Sequence, residues 1–271
     1  MAAPLPRWKL ASALIVCGLT GYSAAPPRAA DSTSVPYETE GRKSGYLFLT
    51  PATRTLQDDE FQNPGAFALE RGRDLWDAPD GPDRKSCASC HGDAATAMVG
   101  VAARYPVFDA ARNGLVNIEM RINAERERMK AAPYAYESDD MLALTTFLTA
   151  QSRGMPMTPD IDGPARPLFE QGRAFYEARR GQLDLSCGQC HDDRTGLRLR
   201  GDVISQGQVN GFPVYRVSWR GQASRHRIFA WCNTSVRAEP YAAGSPEYLA
   251  LELFMAWRGR GLPIEAPSIR R

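Results

Sequence analysis

The sequence predicts a mainly α-helical protein built as two tandem domains related by internal duplication, with long loops and little β-structure. Three observations predict it. A Cys-x-x-Cys-His motif occurs twice, at Cys87–His91 and Cys187–His191, and the 100-residue shift that superposes the motifs also superposes what precedes them. Leu69-Glu70-Arg71-Gly72-Arg73 falls on Phe169-Glu170-Gln171-Gly172-Arg173, and Trp76 falls on Tyr176. Segments on both sides of each motif carry apolar residues at helical spacing. A shift of this length is duplication at domain scale rather than a short solenoid period, and 271 residues accommodate two domains of ordinary size.

Residues 1–30 read as a secretory signal with cleavage expected near 25–30. Arg7 and Lys9 form a positive start, Leu10–Leu19 is a short apolar stretch, and small residues follow. That stretch is too short to span a bilayer and no other segment is apolar enough, so no stable membrane insertion is expected. Lipidation at Cys17 is opposed by the bulky Val16 before it. Residues 31–60 are expected as an extended arm, 61–155 as the first domain and 156–271 as the second.

Within each domain a first helix surrounds a glycine, Gly72 or Gly172. A helix crossing close to another backbone explains that residue, because glycine has no side chain to hold the two apart. The later helices are Asp139–Gln151, expected to start at an acidic cap with Leu142, Leu144, Phe147 and Leu148 near one face, and Pro246–Arg258. Arg153–Pro159 with Asp162-Gly163-Pro164 reads as a linker. Gln206–Trp219 breaks the helical pattern and is expected as a loop or short β-ribbon. The Gly- and Pro-containing stretch Gly259–Arg271 is expected to wrap the surface.

The formal charge is +2, from 33 basic and 31 acidic side chains. Without residues 1–30 the chain loses Arg7, Lys9 and Arg28 and no acid, leaving 30 against 31. There is no electrostatic case for nucleic acid.

The five cysteines outside the signal are Cys87, Cys90, Cys187, Cys190 and Cys232. Cys-x-x-Cys-His is the pattern of c-type haem attachment. The two thiols add to the haem vinyl groups, and the adjacent histidine supplies the proximal iron ligand. Two copies in a duplication behind a signal predict two covalently bound haem c groups in cytochrome c-like domains. Cys87 and Cys90 hold one with His91 on iron, and Cys187 and Cys190 hold the other with His191. Cys232 is then left over in an exported chain. It is either a buried structural cysteine or the distal ligand of the second haem, where a thiolate sets the potential and brings reactive sulfur to the iron.

The chain resembles the SoxA subunit of the SoxAX cytochrome, the L-cysteine S-thiosulfotransferase of bacterial thiosulfate oxidation. The resemblance rests on Gly100–Pro106 (GVAARYP), Arg121-Ile122-Asn123, Gln151–Pro156 (QSRGMP) and Gly181–Cys187 (GQLDLSC). It continues in Arg200–Gly207 (RGDVISQG), Cys232-Asn233, Val236–Pro240 (VRAEP) and Gly261–Pro267 (GLPIEAP). It implies a periplasmic heterodimer with a SoxX-type monohaem cytochrome c. It also implies His191 and Cys232 as axial ligands, with Cys232 catalytic and able to carry an extra sulfur. The reaction implied joins thiosulfate to a cysteine of a SoxYZ-type carrier protein while electrons leave through haem. Cationic side chains should hold the sulfonate, and Arg237 and Arg227 are the candidates.

Two positions depart from the family pattern. Glu125 stands two residues after Arg-Ile-Asn, where a cysteine ligand of the first haem is usual, so Met98, Met120, Met129, Glu125 itself, water or an open site are the alternatives for that place. Ile228 and Ala230 stand four and two residues before Cys232, where basic residues are usual. Two other functions therefore stay in view: a dihaem electron carrier without sulfur transfer, and a thiosulfate dehydrogenase-like enzyme forming tetrathionate.

Overall fold

The fold follows from a computed structural model that describes residues 37–271. The expected signal, its cleavage site, Cys17 and the start of the arm lie outside the described residues. From residue 37 on, the arm is not extended. Glu38–Thr39 (β1) and Arg42–Lys43 (β2) form a hairpin, and helix α1 (Pro51–Asp58) follows. Thr50 caps α1 by accepting the Thr53 N–H, with Pro51 in the first turn.

The remaining chain is α2 (Ala66–Asp77), α3 (Cys87–His91), α4 (Ala94–Ala97), β3 (Val107–Asp109), β4 (Gly114–Val116), α5 (Ile118–Arg128) and α6 (Asp139–Ala150). After these come α7 (Arg166–Glu177), α8 (Cys187–His191), β5 (Arg198–Leu199), β6 (Asp202–Val203), β7 (Val214–Arg216) and β8 (Gly221–Ala223). The last elements are α9 (Arg225–Ser235), α10 (Pro246–Arg258) and β9 (Ser268–Arg270). The fold is mainly helical, as expected, with β limited to short ribbons.

Helix α2 packs along α6, and α7 along α10. A Cβ on Gly72 would run into the Ala143 carbonyl and sit 2.5 Å from Phe147 Cβ. One on Gly172 would run into the Ala250 carbonyl and sit 3.0 Å from Phe254 Cβ. Both glycines thus mark a close crossing of two helix backbones. The cap of α6 is Ser138, which accepts the Met141 N–H, and not an acid; Asp139 and Asp140 sit in the first turn, where they complement the helix dipole. Ser245 and Pro246 start α10 in the same way.

The sequence suggests one apolar face for α6, but it is buried nearly all round, with Met141, Leu142, Ala143, Leu144 and Thr146 all enclosed. The cause is a second layer. Strand β8 packs on α6, and β4 packs on α10. Each half therefore covers the other half's central helix. The elements that do this repeat at a spacing of 107, not 100: β3 to β7, β4 to β8, α5 to α9 and α6 to α10. The additional seven residues fall between His191 and β7, where the β5–β6 hairpin lies.

The segments expected as linker and surface tail are zipped together. Gly154 N–H donates to Ile264 O (2.9 Å), Ile264 N–H to Met155 O (3.0 Å) and Met157 N–H to Leu262 O (2.9 Å). Met157, Leu262, Ala266 and Ile269 are fully enclosed. The tail ends as β9, parallel to β7, with β8 antiparallel on the other side of β7. Its glycines and prolines shape turns within the core rather than a surface wrap.

Candidate active site

A capping box fixes helix α8. Ser186 Oγ accepts the Gln189 N–H (3.2 Å), and Gln189 Oε1 accepts the Ser186 N–H (2.9 Å). One helical turn thus presents Cys187, Cys190 and His191 together. His191 Nδ1 donates to the Ser205 carbonyl at 2.8 Å, which orients the ring and leaves Nε2 free for a metal. Burial pushes the His191 pKa down, against the opposing Ser205 hydrogen bond, so the ring is neutral, as an iron ligand must be. Gly207, at φ +69°, lets the backbone lie on this ring, since a Cβ there would come within 2.9 Å of it. These features fit a haem c held at Cys187, Cys190 and His191. A cavity of about 440 Å³ opens beside His191, lined also by Arg42, Gln206, Trp257 and Arg258.

Cys232 is the eighth residue of α9, whose N-terminus Ser224 caps by accepting the Arg227 N–H. Burial pushes its thiol up to about 12; the Cys187 and Cys190 sulfurs add to this, and the Arg216 guanidinium opposes it. The structure thus places Cys232, on α9, within electrostatic reach of the two α8 cysteines. Here the site contains a residue that sequence reasoning missed. Arg216, the last residue of β7, lies against two indoles, its Cζ 5.2 Å from the Trp219 ring centre and 5.6 Å from that of Trp231. Its Nε is buried without a hydrogen-bond partner among the described residues.

The repeat explains why Arg216 has no ion-pair partner among the described residues. The matching residue of β3 is Asp109, which pairs with Arg121 of α5 at 2.8 Å. The position matching Arg121 in α9 is Ile228. The second half therefore has a cation where the first has an acid, and an apolar residue where the first has its counter-ion. That charge exchange at a spacing of 107 was the signal available in the sequence.

The two arginines expected to bind substrate are both exposed. Arg227 is exposed, with Cζ 4.9 Å from the Trp219 ring, on the rim of the same aromatic cluster. Arg237 follows α9 in the left-handed region, φ +59°, is exposed, and reaches Gln182 Oε1 at 3.4 Å. The third histidine is structural. His226 is buried, accepts the Gly244 N–H at Nδ1 (2.9 Å) and places Nε2 2.9 Å from Glu252 Oε2. Glu252 also accepts from Arg225 (2.7 Å) and from Asn117 of the first half (3.0 Å). Burial alone would raise Glu252, but His226 and Arg225 overcome it and hold the carboxyl low. Nearby Glu119 is raised, first by burial and then by the Glu252 charge.

The first motif is built alike. Ser86 and Ser89 make the capping box of α3. His91 is exposed, 5.8 Å from the Trp76 ring, and Trp76 Nε1 donates to Gly92 O at 3.1 Å. Glu125 is the eighth residue of α5, the place that Cys232 holds in α9, and Arg128 grips both its oxygens at 2.9 Å. Of the methionines, Met98 follows α4 and packs against the core, Met120 is half-buried, and Met129 is buried at the C-terminal cap of α5.

A family model described as SoxA/TsdA, cytochrome c domain, matches residues 71–157. The chain is 44% identical over 230 residues to the L-cysteine S-thiosulfotransferase subunit SoxA of Pseudaminobacter salicylatoxidans, covering 84% of this chain and 80% of that one. It is 41% identical to the SoxA subunit of Paracoccus pantotrophus, over 84% and 78% of the two chains. The crystal structure of SoxXA from P. pantotrophus superposes with a TM-score of 0.82 at 41% identity, covering 85% of this chain and 87% of that one.

Proposed function

Because the chain belongs to the SoxA family of L-cysteine S-thiosulfotransferase subunits, we propose that it is the dihaem subunit of a periplasmic heterodimer with a SoxX-type monohaem cytochrome c. Cys232 is its reactive sulfur. The chain oxidatively conjugates thiosulfate to a cysteine of a SoxYZ-type carrier protein. One haem c is held by Cys87, Cys90 and His91, the other by Cys187, Cys190, His191 and Cys232. Haem, when bound, supplies one-electron acceptance and an iron that takes a thiolate.

The observation that carries this reading is the convergence of Cys232, the α8 cysteines and an unpaired Arg216. In the first step the Cys232 thiolate and the sulfane sulfur of thiosulfate form an S–S bond, and two electrons leave toward the partner cytochrome. In the second step a deprotonated carrier cysteine attacks that sulfane sulfur. The bond to Cys232 breaks, the carrier leaves with the S–SO3 group, and Cys232 returns as thiolate. The sum consumes thiosulfate and a carrier thiol and releases one proton and two electrons. Exchange between sulfurs suits a thiolate leaving group. Arg216 meets the sulfonate with a charge-assisted hydrogen bond from its unpartnered Nε, and the Trp219 and Trp231 rings limit water beside it. Arg227 on the rim attracts the dianion; Arg237 is a second attractor.

Replacing Cys232 by alanine tests this directly. C232A should abolish thiosulfate-dependent reduction of the partner cytochrome in the presence of carrier. Undiminished turnover would refute the reading. Intact mass of the wild type should show two haems and, in part of the population, one added sulfur removable by reductant. Tetrathionate formed without carrier would instead indicate a dehydrogenase.

A further inference from the structure

We propose that Glu125 stands on the distal side of the first haem, so that this iron faces a carboxylate oxygen where the second faces sulfur. The inference rests on the reading of Cys232 as distal ligand of the second haem. It is carried by the correspondence between the two halves. Helices α5 and α9 are both eleven residues long, both capped by a side chain (Asn117, Ser224), and both followed by a left-handed residue, Lys130 at φ +56° and Arg237 at φ +59°.

Each helix is docked to its Cys-x-x-Cys-His segment by the same device. The turns at Gly81 and Gly181, φ +67° and +69°, bring the chain so close to the carbonyls of Met129 and Val236 that a Cβ would collide with them. Each turn then closes a β-bridge, Asp80 to Lys85 and Arg180 to Leu185, just before the motif. With both ends of the relation fixed, the eighth residue of each helix occupies the same place relative to its haem-binding turn. In α9 that residue is Cys232, and in α5 it is Glu125.

The methionines do not share this place. Met129 matches Val236 and caps the helix. Met120 matches Arg227 and lies five residues before Glu125, about 140° round the helix. Met98 packs against the hydrophobic core. Arg128, whose counterpart in α9 is Ser235, holds the Glu125 carboxylate through both oxygens. A carboxylate is a weak-field donor beside a thiolate, so the first iron should be high-spin in its ferric state and open to exogenous anions.

Electron paramagnetic resonance and optical spectra of the haem-loaded complex test this, with the partner cytochrome's own signal subtracted. The wild type should show one low-spin thiolate haem and one high-spin ferric haem per chain, and azide should perturb only the latter. E125C should raise the thiolate species from one to two per chain, while E125Q and E125A should shift the high-spin signal and leave the thiolate signal intact. A wild type with two thiolate haems, or a first-haem spectrum unmoved in E125C, E125Q and E125A alike, would overturn the proposal and leave Glu125 as a surface partner of Arg128. C232A reports separately on the underlying reading: loss of the thiolate species supports it, and an unchanged spectrum refutes it whatever the Glu125 variants do.

Discussion

Arg216 shows how one side chain changes the chemistry of a repeated framework. In the first half the same strand position carries an acid already satisfied by Arg121, so nothing there seeks an anion. In the second half the cation is desolvated and flanked by indoles, its Nε has no hydrogen-bond partner among the described residues, and an oxyanion would supply one. We expect R216Q to raise the KM for thiosulfate roughly 10- to 100-fold, the range of one lost charge-assisted hydrogen bond, with the thiolate spectrum unchanged and R216K intermediate. An unaltered KM would assign the sulfonate to Arg227 or Arg237. Sequence reasoning singled out Cys232 because an odd cysteine is conspicuous. It missed Arg216 because one arginine among 33 basic residues, in a segment read as loop or ribbon, has no local mark. Its meaning appears only when the halves are aligned by the spacing of the strands.

At the scale of elements, helices were the most legible part of the chain. Their apolar spacing, their serine and proline starts and the two glycines place α2, α6, α7 and α10. The glycines make a stability prediction. G72A or G172A forces a methyl group into a backbone carbonyl of the crossing helix, and should cost about 1–3 kcal/mol by overpacking, read as a lower Tm with both haems still attached. The buried polar cluster between α5, α9 and α10 makes another. Burial and the Glu252 charge push Glu119 from the ordinary 4.5 up to about 7, so between those values the folded state keeps a proton that the unfolded state releases. Its contribution to stability therefore falls as pH rises through that window. E119Q should remove this decline, and Tm measured across pH should be flatter in the variant. What the sequence concealed here was the tail: hydrogen bonding to residues 154–157 and alignment with β7 are long-range pairings that no local pattern encodes.

The whole molecule departs most from what a linear reading suggests. Tandem domains joined by a linker would unfold separately. Instead β8 covers α6 and β4 covers α10, the linker is zipped to the tail, and Asn117 reaches across to Glu252. We therefore expect one calorimetric transition for the haem-loaded chain, and residues 61–155 expressed alone to lack cooperative unfolding. Two resolved transitions would contradict this coupling. Reciprocal cover also lets the two Cys-x-x-Cys-His turns stay alike while α5 and α9 diverge, since the strands that support each helix are fixed by the opposite half.

Strand β9 bears on the order in which the protein is made. It lies near the C-terminal end, yet it flanks the strand that carries Arg216 and fills the core with Ile269. A chain emerging N-terminus first delivers both haem-binding turns long before this strand arrives. On the proposed attachment, thioether formation would therefore meet exposed cysteines in a partly assembled chain, and the surroundings of Arg216 are framed last. In the function proposed, assembly thus proceeds from cofactor to substrate site, and an incompletely delivered chain would acquire its colour before its specificity.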